Sequence, residues 1–332
     1  MTLADTLKEA PAEQSERSDT ENYLIARYHF SATMQVAHRL PFYSGSALRG
    51  IFGHALRRVA CMTAMKHCNE CPLKETCPYT EVFEPAAKAN TAIKGYTQRP
   101  ALYIIEPPAP GEKYLQAGDN LEFSMVLIGP AMKQLPLIVL AWQQALQRGL
   151  GKGRHAATLR SVAVERDVDN EKIPQIIWRS ETPCIIEHPQ QLQIMKHTMQ
   201  ALTLNIHTPM RLQRQSKPIG PDKINPLDLL GPLLRRVELV RHVTQLAPLY
   251  TDMRAHMDNA RHIKSHATLR WTDWERYSNR QQQKMALGGI TGQWALQGNL
   301  QPYQHALQLG QWLHIGKNTT FGMGAYTISA TS

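Results

Sequence analysis

The sequence predicts an α+β chain of two tandem domains, on three observations. Its 332 residues exceed the roughly 150 residues of an ordinary domain. The order strand, helix, strand, strand, helix, strand can be read twice, once in each half. Each half also breaks at glycines between its second helix and its last strand, in GLGKGRH and in IGKNTTFGMG. That order is the ferredoxin-like βαββαβ arrangement. The expected layout is a disordered tail over residues 1–20, a first ferredoxin-like domain with a cysteine-rich metal-binding insertion over 21–190, and a second over 191–332.

The tail has no periodicity and no aromatic residue. From Tyr23, YLIARYHFSATMQV is rich in β-branched and aromatic residues and reads as a strand. After the turn residues Pro41–Gly45, SALRGIFGHALRRVA sets Leu48, Ile51, Phe52, Ala55, Leu56 and Val59 at helical spacing, with Ser44 or Ser46 as cap. The cysteine cluster and a loop to Pro100 follow. ALYIIE and DNLEFSMVLIG are the next strands, QLPLIVLAWQQALQRG the second helix, and ATLRSVAVE the closing strand. In the second half LTLNIHT is a strand and INPLDLLGPLLRRVELVRHVTQL a long amphipathic helix. ATLRWTDWERY and KMALGGITGQWAL read as strands, QPYQHALQLGQWL as a helix, and GMGAYTIS as the last strand.

Apolar residues at 42% and charged residues at 19% exclude a wholly disordered or fibrous chain. Lysine and arginine outnumber aspartate and glutamate by 37 to 27, a net charge of +10, which favours a polyanionic partner. No apolar run approaches 18 residues, and the polar opening lacks signal-peptide order, so no membrane association and a cytoplasmic location are expected. Four of five cysteines fall within 17 residues, poor spacing for a secreted disulfide scaffold and good spacing for a metal site in a reducing compartment.

Cys61, Cys68, Cys71 and Cys77 follow C-x6-C-x2-C-x5-C. A CxxC knuckle with two flanking thiolates suits four-coordinate zinc, and four thiolates suit a four-iron–four-sulfur cluster equally well. Cys184 stands alone and reads as a buried apolar residue. In the glycine-rich HIGKNTTFGMG, Gly316, Gly322 and Gly324 flank Lys317 and Asn318, and backbone N–H groups there can cradle a phosphate. The order matches neither a Walker loop nor a dinucleotide fingerprint. His54 shares a helix face with Arg58, with Arg49 and Arg57 nearby. A histidine among cations tends to stay neutral, which suits a general base. His67, inside the cysteine loop, and His38, before the helix, are its rivals. Cations recur at Arg211, Arg214, Arg235, Arg236, Arg241, Arg276, Arg280 and Lys284, the last group interleaved with Trp271, Trp274 and Tyr277. Alternating cations and aromatics fit a groove for single-stranded nucleic acid.

The combination of SALRGIFGHALRR, CNECPLKETCPYTEVFEP, HTPMRL, RYSNRQQQKMALGGITG and LHIGKNTTFGMGAYTI resembles one family. It looks like the CRISPR-associated endoribonucleases that process precursor CRISPR RNA, within the repeat-associated mysterious protein (RAMP) superfamily. The resemblance covers about residues 22–328. It implies two ferredoxin-like domains with an RNA-binding cleft, and cleavage within the repeat that needs no metal. A general base, usually histidine, would take the 2′-hydroxyl proton, leaving a 2′,3′-cyclic phosphate and a 5′-hydroxyl. DNA lacks that nucleophile. On this resemblance the catalytic candidates are His54, His67, Tyr43 and Lys317. The RNA-binding candidates are Arg49, Arg57, Arg58, Lys152, Arg154, Arg211, Arg214, Arg276, Arg280, Lys284, Gly316, Lys317, Asn318, Gly322 and Gly324. A metal at the cysteines would be structural, and no cofactor would serve catalysis. The implied partners are the precursor CRISPR RNA repeat and mature crRNA, together with other subunits of a CRISPR effector complex.

One alternative shares fold, loop and charge: a non-catalytic RAMP subunit that holds guide RNA in such a complex. A metal-dependent nuclease or a DNA-binding regulator would call for a carboxylate cluster or a helix-turn-helix, and neither is present in the sequence.

Overall fold

The computed structural model describes residues 20–85, 100–168, 171–195, 200–273, 275–278 and 283–330. Of Thr20, Val168, Met195, 275–278 and 283–286 it describes the backbone alone. The tail expected over 1–20 therefore lies outside the described residues except for Thr20.

The first half supplies β1 (Ile25–Met34), α1 (Gly45–Ala60), β2 (Tyr103–Glu106), β3 (Asn120–Ile128), α2 (Leu135–Arg148), β4 (Ala157–Val168) and β5 (Glu171–Arg179). The strands form one antiparallel sheet in the order β2-β3-β1-β4-β5. Alternation along β1 sends Tyr28, Phe30, Ala32 and Met34 to the core and leaves His29, Ser31 and Thr33 half-buried on the other face. The α1 residues Leu48, Phe52, Ala55 and Leu56 repeat at helical spacing and bury against α2, where the Phe52 and Trp142 rings stack 4.9 Å apart. The Leu and Phe side chains among them each contribute roughly 1.5–3 kcal/mol of hydrophobic burial.

The second half supplies β6 (Ala201–Met210), α3 (Pro226–Val243), α4 (Met253–Ala260), β7 (Lys264–Thr272), β8 (Gly289–Gln297), α5 (Gln304–Leu313) and β9 (Tyr326–Ala330). Its sheet is antiparallel in the order β7-β8-β6-β9. The second, third, first and fourth strands of each half are thus neighbours in the same succession. An Asn225/Asp228 capping box with Pro226 starts α3.

The observed elements depart from expectation at several places. β5 is an added edge strand, where Pro174 removes a donor that an edge does not need. The two strands read through 267–277 and 284–296 each divide. Glu275–Ser278 and Gln283–Ala286 pair with one another in a separate ribbon. The division falls where Asp273 accepts a 2.6 Å hydrogen bond from Trp271 Nε1 and Gly288 packs against both. Thr20–Tyr23 pairs with Leu192–Met195, so regular structure starts before Tyr23. Cys184 is exposed, not buried, because its segment beyond β5 runs without regular structure over the surface. Among the described residues no helix is long and apolar enough to cross a membrane.

Candidate functional site

The glycine-rich loop sits where the halves meet. It leaves α5 through His314, a residue at φ +53°. Thr208 Oγ1 donates to Gly322 O at 2.8 Å, Lys317 N–H to Arg211 O at 3.0 Å and Gly324 N–H to Pro209 O at 3.1 Å. Tyr43 is buried, and its hydroxyl donates to Phe321 O at 2.9 Å, which ties the loop to the approach to α1. Burial pushes the Tyr43 phenol up, so it stays protonated. Gly316, Gly322 and Gly324 have φ of +97°, +85° and +75°, and a β-carbon on any of them would strike backbone. The N–H groups of Lys317, Phe321, Gly322 and Gly324 all donate to protein carbonyls, so a phosphate cradle built from them would cost those bonds. Lys317 itself is exposed.

His314 is 1% exposed and its Nε2 lies 3.0 Å from Glu106. Arg27 donates to both Glu106 and Glu165, and Trp312 lies over its guanidinium at 4.3 Å. Burial works against the Glu106 charge, but Arg27 and the His314 hydrogen bond outweigh it and hold the carboxyl at about 2. Glu165 is likewise disfavoured by burial and brought to about 2 by His29, Arg27 and Lys172. The Arg27–Glu106, Arg27–Glu165 and His314–Glu106 contacts join residues 79 to 208 positions apart, and no local pattern announces them.

A second depression, of about 620 Å³, opens beside α1. Its lining includes Arg49, His54, Arg57, Lys66 and His67, with Tyr79 and Phe83 as apolar floor. His54 is exposed on α1. Arg57 donates to Met65 O at 2.6 Å and Lys66 O at 3.0 Å, which draws the cysteine loop, and with it His67, alongside the helix. Arg49 donates to Tyr103 Oη at 2.9 Å and lies 4.3 Å over the Phe83 ring, so it is held in place. The histidines at 54 and 67 are thus brought together with three cations. Lys317 and Tyr43 do not line this depression, and His38 lies elsewhere, stacked on His155 at 4.4 Å. Burial, then the neighbouring His155, lowers the basicity of His38.

Cys61, Cys68, Cys71 and Cys77 line one pocket of about 80 Å³. The knuckle is formed: Cys71 N–H donates to Cys68 O at 3.1 Å. Cys61 closes α1, and Cys77 caps the short helix Pro78–Val82. Among the described residues, however, no three His, Cys, Asp or Glu side chains converge as a metal-holding set. The remaining cations divide. Arg58, Lys152 and Arg154 are exposed. Arg211 donates to Gly288 O at 2.7 Å, and Arg214 is paired with Asp228 at 2.6 Å. Arg280 and Trp274 lie outside the described residues, as do the side chains of Arg276, Tyr277 and Lys284.

Paired antiparallel sheets around a glycine-rich loop define the class of fold, and comparison shows what the chain resembles. Residues 204–326 match the model of the CRISPR-associated endoribonuclease Cas6. Residues 22–191 match a second model, AF_1859_N, described as an N-terminal domain. Over residues 204–326 the chain is thus similar to the Cas6 family of CRISPR-associated endoribonucleases, and its fold is like that of solved Cas6 structures. Among solved structures, a Cas6 product complex is 15% identical with a TM-score of 0.55, over 92% of this chain and 100% of that one. Thermus thermophilus Cas6 is 13% identical with a TM-score of 0.53, over 93% and 99%. A partial Cas6-RT-Cas1–Cas2 complex is 13% identical with a TM-score of 0.54, over 92% of this chain. This chain spans 46% and 29% of the length of the two Cas6-RT-Cas1–Cas2 chains. At these identities the likeness is one of fold. No curated protein sequence matches the chain.

Proposed function

We propose that the protein cuts precursor CRISPR RNA within its repeat, by attack of a 2′-hydroxyl on the adjacent phosphate and without a metal. The observation that carries this reading is the α1 depression, where His54 and His67 share one space with Arg49, Arg57 and Lys66. His54, on the rigid helix, takes the 2′-hydroxyl proton. The oxygen attacks in line, and His67 returns a proton to the departing 5′-oxygen, leaving a 2′,3′-cyclic phosphate and a 5′-hydroxyl. Lys66 and Arg57 offset the charge that builds on the phosphorane, and Arg49 stiffens the floor. Lys317 meets the RNA backbone at the glycine-rich loop.

In this reading both halves are ferredoxin-like domains, 21–190 and 191–332, as their common strand succession supports. The four cysteines hold a structural zinc or four-iron–four-sulfur cluster, favoured by their spacing and shared pocket. The protein works in the cytoplasm, retains crRNA, and meets other CRISPR proteins, as the Cas6-RT-Cas1–Cas2 assemblies suggest.

The test is incubation with labelled repeat RNA in EDTA. Cleavage to cyclic-phosphate ends with a bell-shaped pH–rate profile is expected. A deoxy substitution before the scissile phosphate abolishes product. His54→Ala retains RNA affinity and loses about two to four orders of magnitude in rate. Tight binding of repeat RNA with no product would replace this reading with that of a guide-holding subunit.

A further inference from the structure

The approach to α1 carries features that the cleavage site does not use. His38–Leu40 and Lys113–Leu115 form a two-stranded antiparallel ribbon in the register His38 to Leu115, Arg39 to Tyr114 and Leu40 to Lys113. Beyond it Gly111 N–H donates to Phe42 O at 2.8 Å, which extends the ribbon toward α1. Two aromatic side chains stand out from it, Tyr114 at 65% and Phe42 at 50% exposure. Among the described residues these are the exposed members of the Phe, Tyr and Trp set, and everywhere else that set is at least partly covered.

Beside the ribbon lies the turn Gly149–Arg154. His155 Nδ1–H donates to Ala37 O at 2.8 Å, which fixes the ring and leaves its other nitrogen toward Gly153. The His38 ring stacks on it at 4.4 Å, with an interplanar angle of 30°, and Gly151 lies against His38. Gly151 and Gly153 thus carry no side chain to cover the imidazole pair. Lys113, Lys152 and Arg154 are exposed around it, whereas Arg39 is neutralised by Glu112.

We propose that this ribbon and turn form a second RNA-binding surface, which takes a single-stranded segment of the same RNA lying outside the cleaved repeat. The inference rests on the functional reading above and adds a substrate element to it. Flat rings offer stacking faces to unpaired bases, and the interleaved cations meet the phosphates between them. A protein partner would call for a contiguous apolar patch, but Tyr114 stands next to Lys113 and across the ribbon from Arg39. The surface also adjoins the glycine-rich loop, since Phe42 directly precedes Tyr43, whose hydroxyl holds that loop.

The experiment uses the full chain and a repeat RNA, with and without ten uridines added at either end, read by fluorescence anisotropy and cleavage rate. In the parent, an extension at one end tightens binding by about fivefold to a hundredfold, the range of one well-stacked base. Tyr114→Ala and Lys113→Ala lose that gain and leave affinity and cleavage of the unextended repeat unchanged. Tyr114→Trp keeps it. Equal affinity for extended and unextended RNA in a parent that cleaves the repeat overturns the inference alone. Equal loss for both RNAs in Tyr114→Ala also overturns it, by assigning the ribbon to the repeat. Retention of another CRISPR protein through Tyr114, with no gain from the extension, overturns it in favour of a protein interface. Failure to bind the unextended repeat overturns the functional reading and this inference together.

Discussion

Gly149–Arg154 and Gly316–Gly324 both carry the chain from the last helix of a half to the strand that pairs beside its first, β4 or β9, and both are broken by glycines. In the first, the turn closes on itself through Leu150 and His155, and Gly151, Lys152, Gly153 and Arg154 stay exposed. In the second, Phe321, Gly322, Met323 and Gly324 are buried, and the loop bonds to Pro209, Arg211, Thr208 and Tyr43. In the first turn Gly149 closes on the Arg154 backbone while Gly151 and Gly153 leave neighbouring rings uncovered; in the second, Gly316, Gly322 and Gly324 all let backbone approach backbone. The same place in the chain order is thus a surface in one half and a keystone between halves in the other.

Substitution of the keystone should have the largest effect. A β-carbon on Gly324 would lie 1.8 Å from Ile315 O at a φ of +75°. Strained backbone and displacement of a buried loop should cost about 3 kcal/mol or more in Gly324→Ala. A large drop in the urea midpoint, with loss of repeat binding, is expected. A parent-like midpoint would mean that the loop is as tolerant as the first turn.

Acid should open the keystone before the open turn responds. Glu106 and Glu165 titrate near 2 in the folded protein, below the roughly 4.3 of an unfolded glutamate. The folded carboxylates bind protons less readily, so their stabilisation is fully present above about 4.3 and is lost as pH falls toward 2. Between those limits stability should decline, and Glu106→Gln should flatten part of that slope. His314 and Trp312 contact this ion network, so loss of hydrogen-exchange protection in the 314–324 loop should accompany the decline. Equal loss at 149–154 would break the contrast.

What was legible in the sequence follows the same division. Alternation in β1 and helical spacing in α1 were readable because burial repeats within one element. The four cysteines stood out by density, and His54 and His67 fell within the same short window as α1. The coupling of His314 to Glu106, of Tyr43 to Phe321 and of Arg49 to Tyr103 was not readable, since each joins residues far apart in sequence with no periodicity between them. Arg49 and Arg214 read as free cations, and the structure holds both with internal partners. Sequence counts charges and cannot see which are already paired. The ribbon at Tyr114 is not legible in the sequence because three-residue strands carry too little alternation.

A smaller effect should come from Tyr43→Phe. It removes the donor to Phe321 O without changing the shape of the buried ring, and leaves that carbonyl short of one partner. About 1–2 kcal/mol is expected by chemical denaturation. Repeat affinity should weaken with it, because the loop that presents Lys317 loses its tie to α1. A stability loss with unchanged affinity would show that Lys317 keeps its place without that tie.

The smallest effect belongs to the open turn. Gly151 has a φ of +66°, so Gly151→Ala meets left-handed strain of roughly 1–2 kcal/mol. An added methyl, however, finds only His38 Cε1, at 3.4 Å, an ordinary contact. Alanine also restricts the unfolded chain, which returns about 0.4–1 kcal/mol. The net loss should stay near 1 kcal/mol, several times below that of Gly324→Ala in the same denaturation assay. If the two losses were equal, exposure at 149–154 would hide a second lock, and the stacked His38 and His155 rings would be its place.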